Sequence, residues 1–418
     1  MKKIIALIAG ILASLSAFAA GPFYVDADNG SDSNSGTGCV NFSSGAACAT
    51  SWKSIHNTAV EFAGTIEYVR ASTASYGFMY LHDLPGTASQ PIQFIGTPGP
   101  RGARPLVKQA SSGQVGALQI AYNSTYVVVN GFDFWNPTNL NPNGSAALIG
   151  STTNPCTNNH ITIENSSFFN SGGGGISAEY MDYLTLLNNL VHDNGSTITT
   201  ASPSGISLLA FCNFDTAPGY HNEVQNNEIY NEASTTGSTV ASDYNCFISD
   251  DQDHYQAQSI TSAGAAPYTG ATIVQYNLAF GCQGKGFHDW ASQNVIVFDH
   301  NTDFMNCTVA GKPCGSTDGD LDMLGASGHY SANATFSYNV VVAPYYAINI
   351  SGVAGGGTAT ARCNYEYGTS GSKSANWDNS GTFTNTFYSI SNPNLLAPST
   401  SPAGADFRAM PPVLPTGC

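Results

Sequence analysis

Six segments of this chain can be laid one above another so that a single polar position recurs. "ITIENSSFF" (161–169), "LTLLNNLVH" (184–192), "NEVQNNEIY" (222–230), "TIVQYNLAF" (272–280), "VIVFDHNTDF" (295–304) and "TFSYNVVVA" (335–343) each run as β-like sequence into a polar kink. The kink column reads Ser166, Asn189, Asn227, Asn277, Asn301 and Asn339. An asparagine amide holds both donor and acceptor, so asparagines brought to the same place on successive turns bond to one another up the column. After each kink comes a second short strand, "GIS" at 175, "GIS" at 205, "CFI" at 246, "GFH" at 286, "DLD" at 320 and "AIN" at 347. Its centre, Ile176, Ile206, Phe247, Phe287, Leu321 or Ile348, is always apolar and its neighbours mostly small or polar, as on a strand with one inward face.

Kink-to-kink spacings of 23 (Ser166 to Asn189) and 24 (Asn277 to Asn301) fit one bare turn of a three-sided solenoid. The others, 38, 50 and 38, carry insertions, mainly around the second strand, which should wall a groove on one flank. Helix-period stripes are missing. The pattern predicts one all-β domain over 21–418, regular from about Tyr24 to about Ala343, with an irregular C-terminal segment over about 365–418 packed on the flank and tied by Cys363 and Cys418.

Residues 1–20 read as a secretory leader: Lys2 and Lys3, an apolar run from Ile4 to Ala13, then Ala17-Phe18-Ala19. The mature protein is expected outside the cytoplasm, extracellular or periplasmic. Ten cysteines in an exported chain read as disulfides, with Cys39–Cys48 and Cys307–Cys314 near enough in sequence for local staples. With 12 Lys and Arg against 28 Asp and Glu, nucleic acid and anionic membranes are disfavoured partners. No later stretch is apolar enough to span a membrane, and the protein is expected to be a monomer. The acidic start "DADNGSDSNSG" lacks the closing Glu of an EF-hand and reads as Asx turns.

"FYVDADNGSDSNSGTG" near the start, "WKSI" at 52, "GTASQPIQFIGTPG" at 86 and "YVVVNGFDF" at 126 resemble the opening coils of secreted right-handed parallel β-helix proteins of the pectate-lyase-like kind. The resemblance implies a right-handed parallel β-helix. That scaffold hosts lyases, hydrolases, epimerases and binding proteins, so activity has to be read from the site.

Lys285, in "GCQGKGFHDW", is one of only five lysines outside the leader. It lies two residues before inward-facing Phe287. The preceding coil carries Asp243, Asp250, Asp251 and Asp253; the following one carries Asp318, Asp320 and Asp322. Coils stack at about 4.8 Å, so the amine is expected between carboxylates above and below. An amine base beside carboxylates that bind a divalent cation suits β-elimination of a uronate polysaccharide, in which a weakly acidic proton next to a carboxyl group is removed. Calcium is the expected ion, held by Asp243, Asp250, Asp251 and Asp253, and it would also bridge this acidic protein to an acidic polymer.

"NLAFGCQGKGF" followed by "VIVFDHNTDFMN" is similar to the lysine coil of polysaccharide lyase family 9, which implies a pectate-like substrate and Lys285 as the base. That family's paired calcium aspartates fall here at Tyr244 and Asn245, leaving Asp243, Asp250 and Asp251 as substitutes by position only. Trp290, His288, Tyr244 and Tyr255 are candidates for contacting sugar, and His254 and His288 for an alternative acid or base. Two other classes stay open: a glycoside hydrolase pairing Asp250 or Asp251 with Asp289 or Asp322, and a non-catalytic glycan-binding or surface β-helix.

Overall fold

The computed structural model describes residues 22–55, 62–137, 144–150, 156–196, 203–233, 244–254, 266–307, 319–324, 331–351, 353–369, 375–377, 382–393, 395–397, 406–409 and 415–418. Among these, three long parallel sheets account for nearly all the regular structure. The first sheet runs from Pro22–Val25 to Thr382–Thr386, the second from Leu106–Lys108 to Tyr365–Gly368, and the third from Met79–His82 to Ala375–Trp377. Each coil visits them in turn, as in Asn158–Glu164, Ser167–Phe169 and Ile176–Glu179. The chain is a right-handed parallel β-helix.

Each nine- or ten-residue run of the sequence is thus two strands meeting at a corner. The residue before the ladder position is left-handed: Asn165, Asn188, Asn226, Tyr276, His300 and Tyr338 all have φ of 53–56°. This single left-handed residue turns the chain from the first sheet to the second and aims the next side chain inward. The amides then form the expected ladder. Asn189 Nδ2 donates to Asn227 Oδ1 (3.0 Å), Asn227 to Asn277 (3.0 Å), Asn277 to Asn301 (3.1 Å) and Asn301 to Asn339 (3.1 Å). Asn339 continues the ladder to Asn364 (3.1 Å). Each acceptor oxygen also takes the backbone N–H of the ladder residue before it.

Ile176, Ile206, Phe247, Phe287, Leu321 and Ile348 follow one another in register down the third sheet, each fully buried. They form one interior column, as the sequence pattern predicts. Buried carboxyls interrupt the apolar interior, Glu67 in the first sheet and Glu366 in the second among them, and two lie close to Lys285 in sequence or space. Asp289 stands in register with Ser249 and Met323, and Asp303 occupies the column of Phe168, Val191, Ile229 and Ala279 in the second sheet.

The regular coils continue past the expected limit. Tyr365–Gly368, Ala375–Trp377 and Thr382–Thr386 each extend a sheet, because Asn364 supplies one more rung and keeps the corner geometry. Among the described strands, only Leu395–Ala397 and Asp406–Ala409, an antiparallel pair, stand outside the three sheets. Cys39–Cys48 and Cys363–Cys418 are bonded as expected; Cys156–Cys212 and Cys246–Cys282 are bonded as well, while Cys314 lies outside the described residues. So does the leader. The acidic start is a set of side-chain-capped turns, with Asp26 Oδ1 accepting from Asp28 N (3.0 Å) and Asp32 Oδ1 from Lys53 N (2.9 Å). No helix among the described residues is long and apolar enough to cross a membrane.

Candidate active site

Because Phe287 points inward, His288 points outward, and parallel register sets Ile248, His288, Asp322 and Asn349 in one outward column of the third sheet. Lys285 enters this sheet at the corner. Its backbone N–H donates to Asn245 Oδ1 (2.9 Å), and its Nζ lies 3.3 Å from Asp322 Oδ2. Both side chains are enclosed, 5% and 0% exposed. Asn349 Nδ2 holds the other oxygen of Asp322 at 2.7 Å.

Asn245 also fixes the tautomer of His288. Its oxygen is committed to the Lys285 N–H, so its amide nitrogen is the atom facing His288 Nδ1 at 3.3 Å. Nδ1 therefore accepts, which leaves the proton on Nε2. Burial, reinforced by the positive charge of Lys285, holds the imidazole well below its ordinary pKa, so the ring is neutral. Nε2–H is buried with no hydrogen-bond partner among the described residues. A neutral donor without an acceptor is costly in a finished core and useful in a site awaiting one.

Gly286, between Lys285 and Phe287, is where the second sheet comes closest: a Cβ there would fall on the Asp303 carboxyl. Asp303 hydrogen-bonds Asn306 Nδ2 at 2.6 Å and pairs with Asp320. Burial lifts Asp303 to about 7, and burial together with the charge of Asp303 lifts Asp320 well above the ordinary carboxyl range. A carboxyl pair of this kind retains a proton near neutral pH. It lies next to Lys285 and Asp322.

The expected carboxylates do not flank Lys285 on both sides. The following coil supplies Asp322, but register places Asp250 opposite Trp290, at the far end of the strand from Lys285. Asp251 is fully buried at the next corner, with φ of 54°, and Asp253 is 8% exposed. Among the described residues no three His, Cys, Asp or Glu side chains converge as a metal cage, and Asp243 lies outside them. Asp250 ends its strand and Asp251 turns the corner after it, so these two expected calcium ligands follow one another along the bend. Tyr244 is fully buried, and Tyr255 lies outside the described residues. Trp290 is half-buried, two positions past His288 on the same outward face. His254 is buried, with Nε2 at 2.8 Å from Phe211 O. Of the carboxyls named for a hydrolase pairing, Asp289 faces the interior in register with Ser249 and Met323, and Asp251 is fully buried. The sequence reading met Asn245 only as a position where a calcium aspartate is missing and gave Asn349 no role, although "AIN" already aligns Asn349 with His288 and Asp322 in the outward column.

No family model matches the chain, and no curated protein sequence does. Among solved structures, pectate lyase Pel9A is similar at 14% identity, covering 92% of this chain and 84% of its own, with a TM-score of 0.48. The alginate lyase from Paenibacillus sp. str. FPU-7 is similar at 12% identity over 78% of this chain and 93% of its own, TM-score 0.38. The GH136 lacto-N-biosidase from Eubacterium ramulus is similar at 13% identity over 88% and 67%, TM-score 0.41. These neighbours are β-helix polysaccharide lyases and a glycosidase; at such identities and TM-scores they assign no activity to this chain.

Proposed function

We propose that this protein is an exported polysaccharide lyase that cleaves a uronate-containing, pectate-like polymer by β-elimination, with Lys285 as the base. The observation that carries the reading is the buried Lys285–Asp322 pair beside the unpartnered Nε2–H of His288.

For Nζ to accept a proton it must first release one, and Asp322 Oδ2 at 3.3 Å is the acceptor beside it. Asn349 keeps that carboxylate in place. The amine then takes the proton from C5 of the uronate, the C–H electrons form the C4–C5 double bond, and the C4–oxygen bond breaks. The proton now on Lys285 is available to the leaving oxygen. Negative charge develops on the substrate carboxyl group as C5 loses its proton, and His288 Nε2–H is the donor positioned to meet it. Trp290 offers an apolar ring farther along the same face, where a neighbouring sugar can stack. Because Lys285 and His288 are enclosed, a bound sugar must displace neighbours to reach them.

Product analysis tests the reaction class. Elimination gives one 4,5-unsaturated uronate for every new reducing end; reducing ends without unsaturation mean hydrolysis, and neither signal means a binding protein.

A further inference from the structure

The outward face of the first sheet carries a column of rings unlike the others. Tyr126, His160, Tyr183 and His221 stack with centroids 4.1, 4.2 and 4.1 Å apart, whereas the rings of the second sheet's outward column stand 4.9–6.5 Å apart. Tyr126, His160 and Tyr183 hold left-handed backbone, with φ of 50, 55 and 53°. Left-handed Tyr and His also turn the corner between the first and second sheets, so it is the close stacking that sets this column apart. With their faces covered by one another, the rings present polar edges outward.

One end of this column is tied into a buried network. His221 Nδ1 lies 3.1 Å from both oxygens of Asp182, at 3% and 1% side-chain exposure. Tyr268 Oη donates to Asp182 (2.6 Å) and Tyr183 Oη donates to Asp215 (2.7 Å). The loop bearing Phe214 and Asp215 is pinned at three points: by Cys156–Cys212, by Phe214 N donating to Asp182 Oδ2 (2.9 Å), and by Thr269 N donating to Asn213 Oδ1 (2.9 Å). The ring edges floor a pocket of about 240 Å³, whose lining adds Thr162, Thr185, Tyr220 and Glu223 and contains neither Lys nor Arg. Tyr220 in that lining and Phe214 beside the ring column are 44% and 52% exposed, large rings left in water.

We infer that this pocket is a second carbohydrate site, for a neutral oligosaccharide, on a different sheet from Lys285. Hydroxyl and imidazole edges match the alternating donors and acceptors of sugar hydroxyls, and the exposed Tyr220 and Phe214 rings match the apolar faces of pyranose rings. Asp215 and Glu223, with no Lys or Arg in the pocket lining, repel a uronate, so the pocket selects against the polymer proposed for the Lys285 site. The protein would then hold a neutral part of a polysaccharide while cutting an acidic part.

Binding is read without turnover, so this inference stands or falls apart from the elimination reaction. Full-length mature protein is titrated calorimetrically with cellohexaose, mannohexaose and xylohexaose, and with hexagalacturonate as the charged control. At least one neutral hexasaccharide is expected to bind, with affinity falling about tenfold or more in Tyr220→Ala and in Phe214→Ala. Both side chains are exposed, and unchanged circular dichroism confirms the fold. Hexagalacturonate affinity should be the same in wild type and Tyr220→Ala. Failure of all three neutral sugars to bind, neutral binding indifferent to both substitutions, or hexagalacturonate affinity lost with Tyr220 each overturns the inference.

Discussion

Lys285 Nζ and Asp322 Oδ2 lie 3.3 Å apart on adjacent coils, both enclosed, and the pair is held from either end by asparagines: Asn245 on the backbone of Lys285 and Asn349 on the carboxylate of Asp322. A buried pair gains little over an apolar replacement but costs heavily when one partner is lost. Asp322→Asn is therefore expected to destabilise the protein by about 3–5 kcal/mol, read from the urea midpoint, while Lys285→Met/Asp322→Leu recovers most of that loss. A single substitution as mild as the double one would mean the pair is hydrated.

The corner at Gly286 is set by Asp303. Gly286→Ala is expected to cost about 1–3 kcal/mol through overpacking. In an Asp303→Ala background the same change should cost much less, because the new methyl group then has room; additive costs would show that the clash lies elsewhere.

Asn277 makes four ladder contacts, accepting from Asn227 N and Nδ2 and donating to Val224 O and Asn301 Oδ1. Asn277→Ala strands several buried partners, so a loss of about 2–4 kcal/mol in thermal or urea unfolding is expected.

Burial lifts the interior carboxyl of Asp289 to about 7, with Ser249, Ser292 and Ser331 pulling the other way. Its folded pKa is above its unfolded one, so the folded state keeps a proton that the unfolded chain gives up. No penalty exists below about pH 4; between about pH 4 and 7 stability falls by up to about 1.4 kcal/mol per pH unit, and above that the full cost remains. Asp289→Asn should flatten the stability profile across that window and stabilise the protein most above pH 7. An unchanged slope would place the titration on another group, Asp303 first.

The solenoid was legible because every coil repeats it. One asparagine per turn and one apolar centre per third-sheet strand fix which residues face inward, and the six predicted column residues share one column. The site was less legible, because its contacts depend on register between coils separated by insertions of unequal length. Lys285 and its neighbour Asp322 stand out by rarity and charge, but nothing local shows that Asp250 is level with Trp290 and not with Lys285. Tyr244 reads as a surface ring until the packing of Gly195 against it is known. The Tyr126–His160–Tyr183–His221 column was invisible because the four rings come from four coils, at positions whose left-handed backbone no local pattern signals.

The most direct test of the central claim is the ultraviolet absorbance of unsaturated product released from uronate polymers by wild type and by Lys285→Ala, with the fold of each verified by circular dichroism. The account predicts product from wild type on at least one such polymer and a loss of about a thousandfold or more in the variant, the scale expected when a reaction loses its base. Elimination at the wild-type rate by folded Lys285→Ala would contradict it.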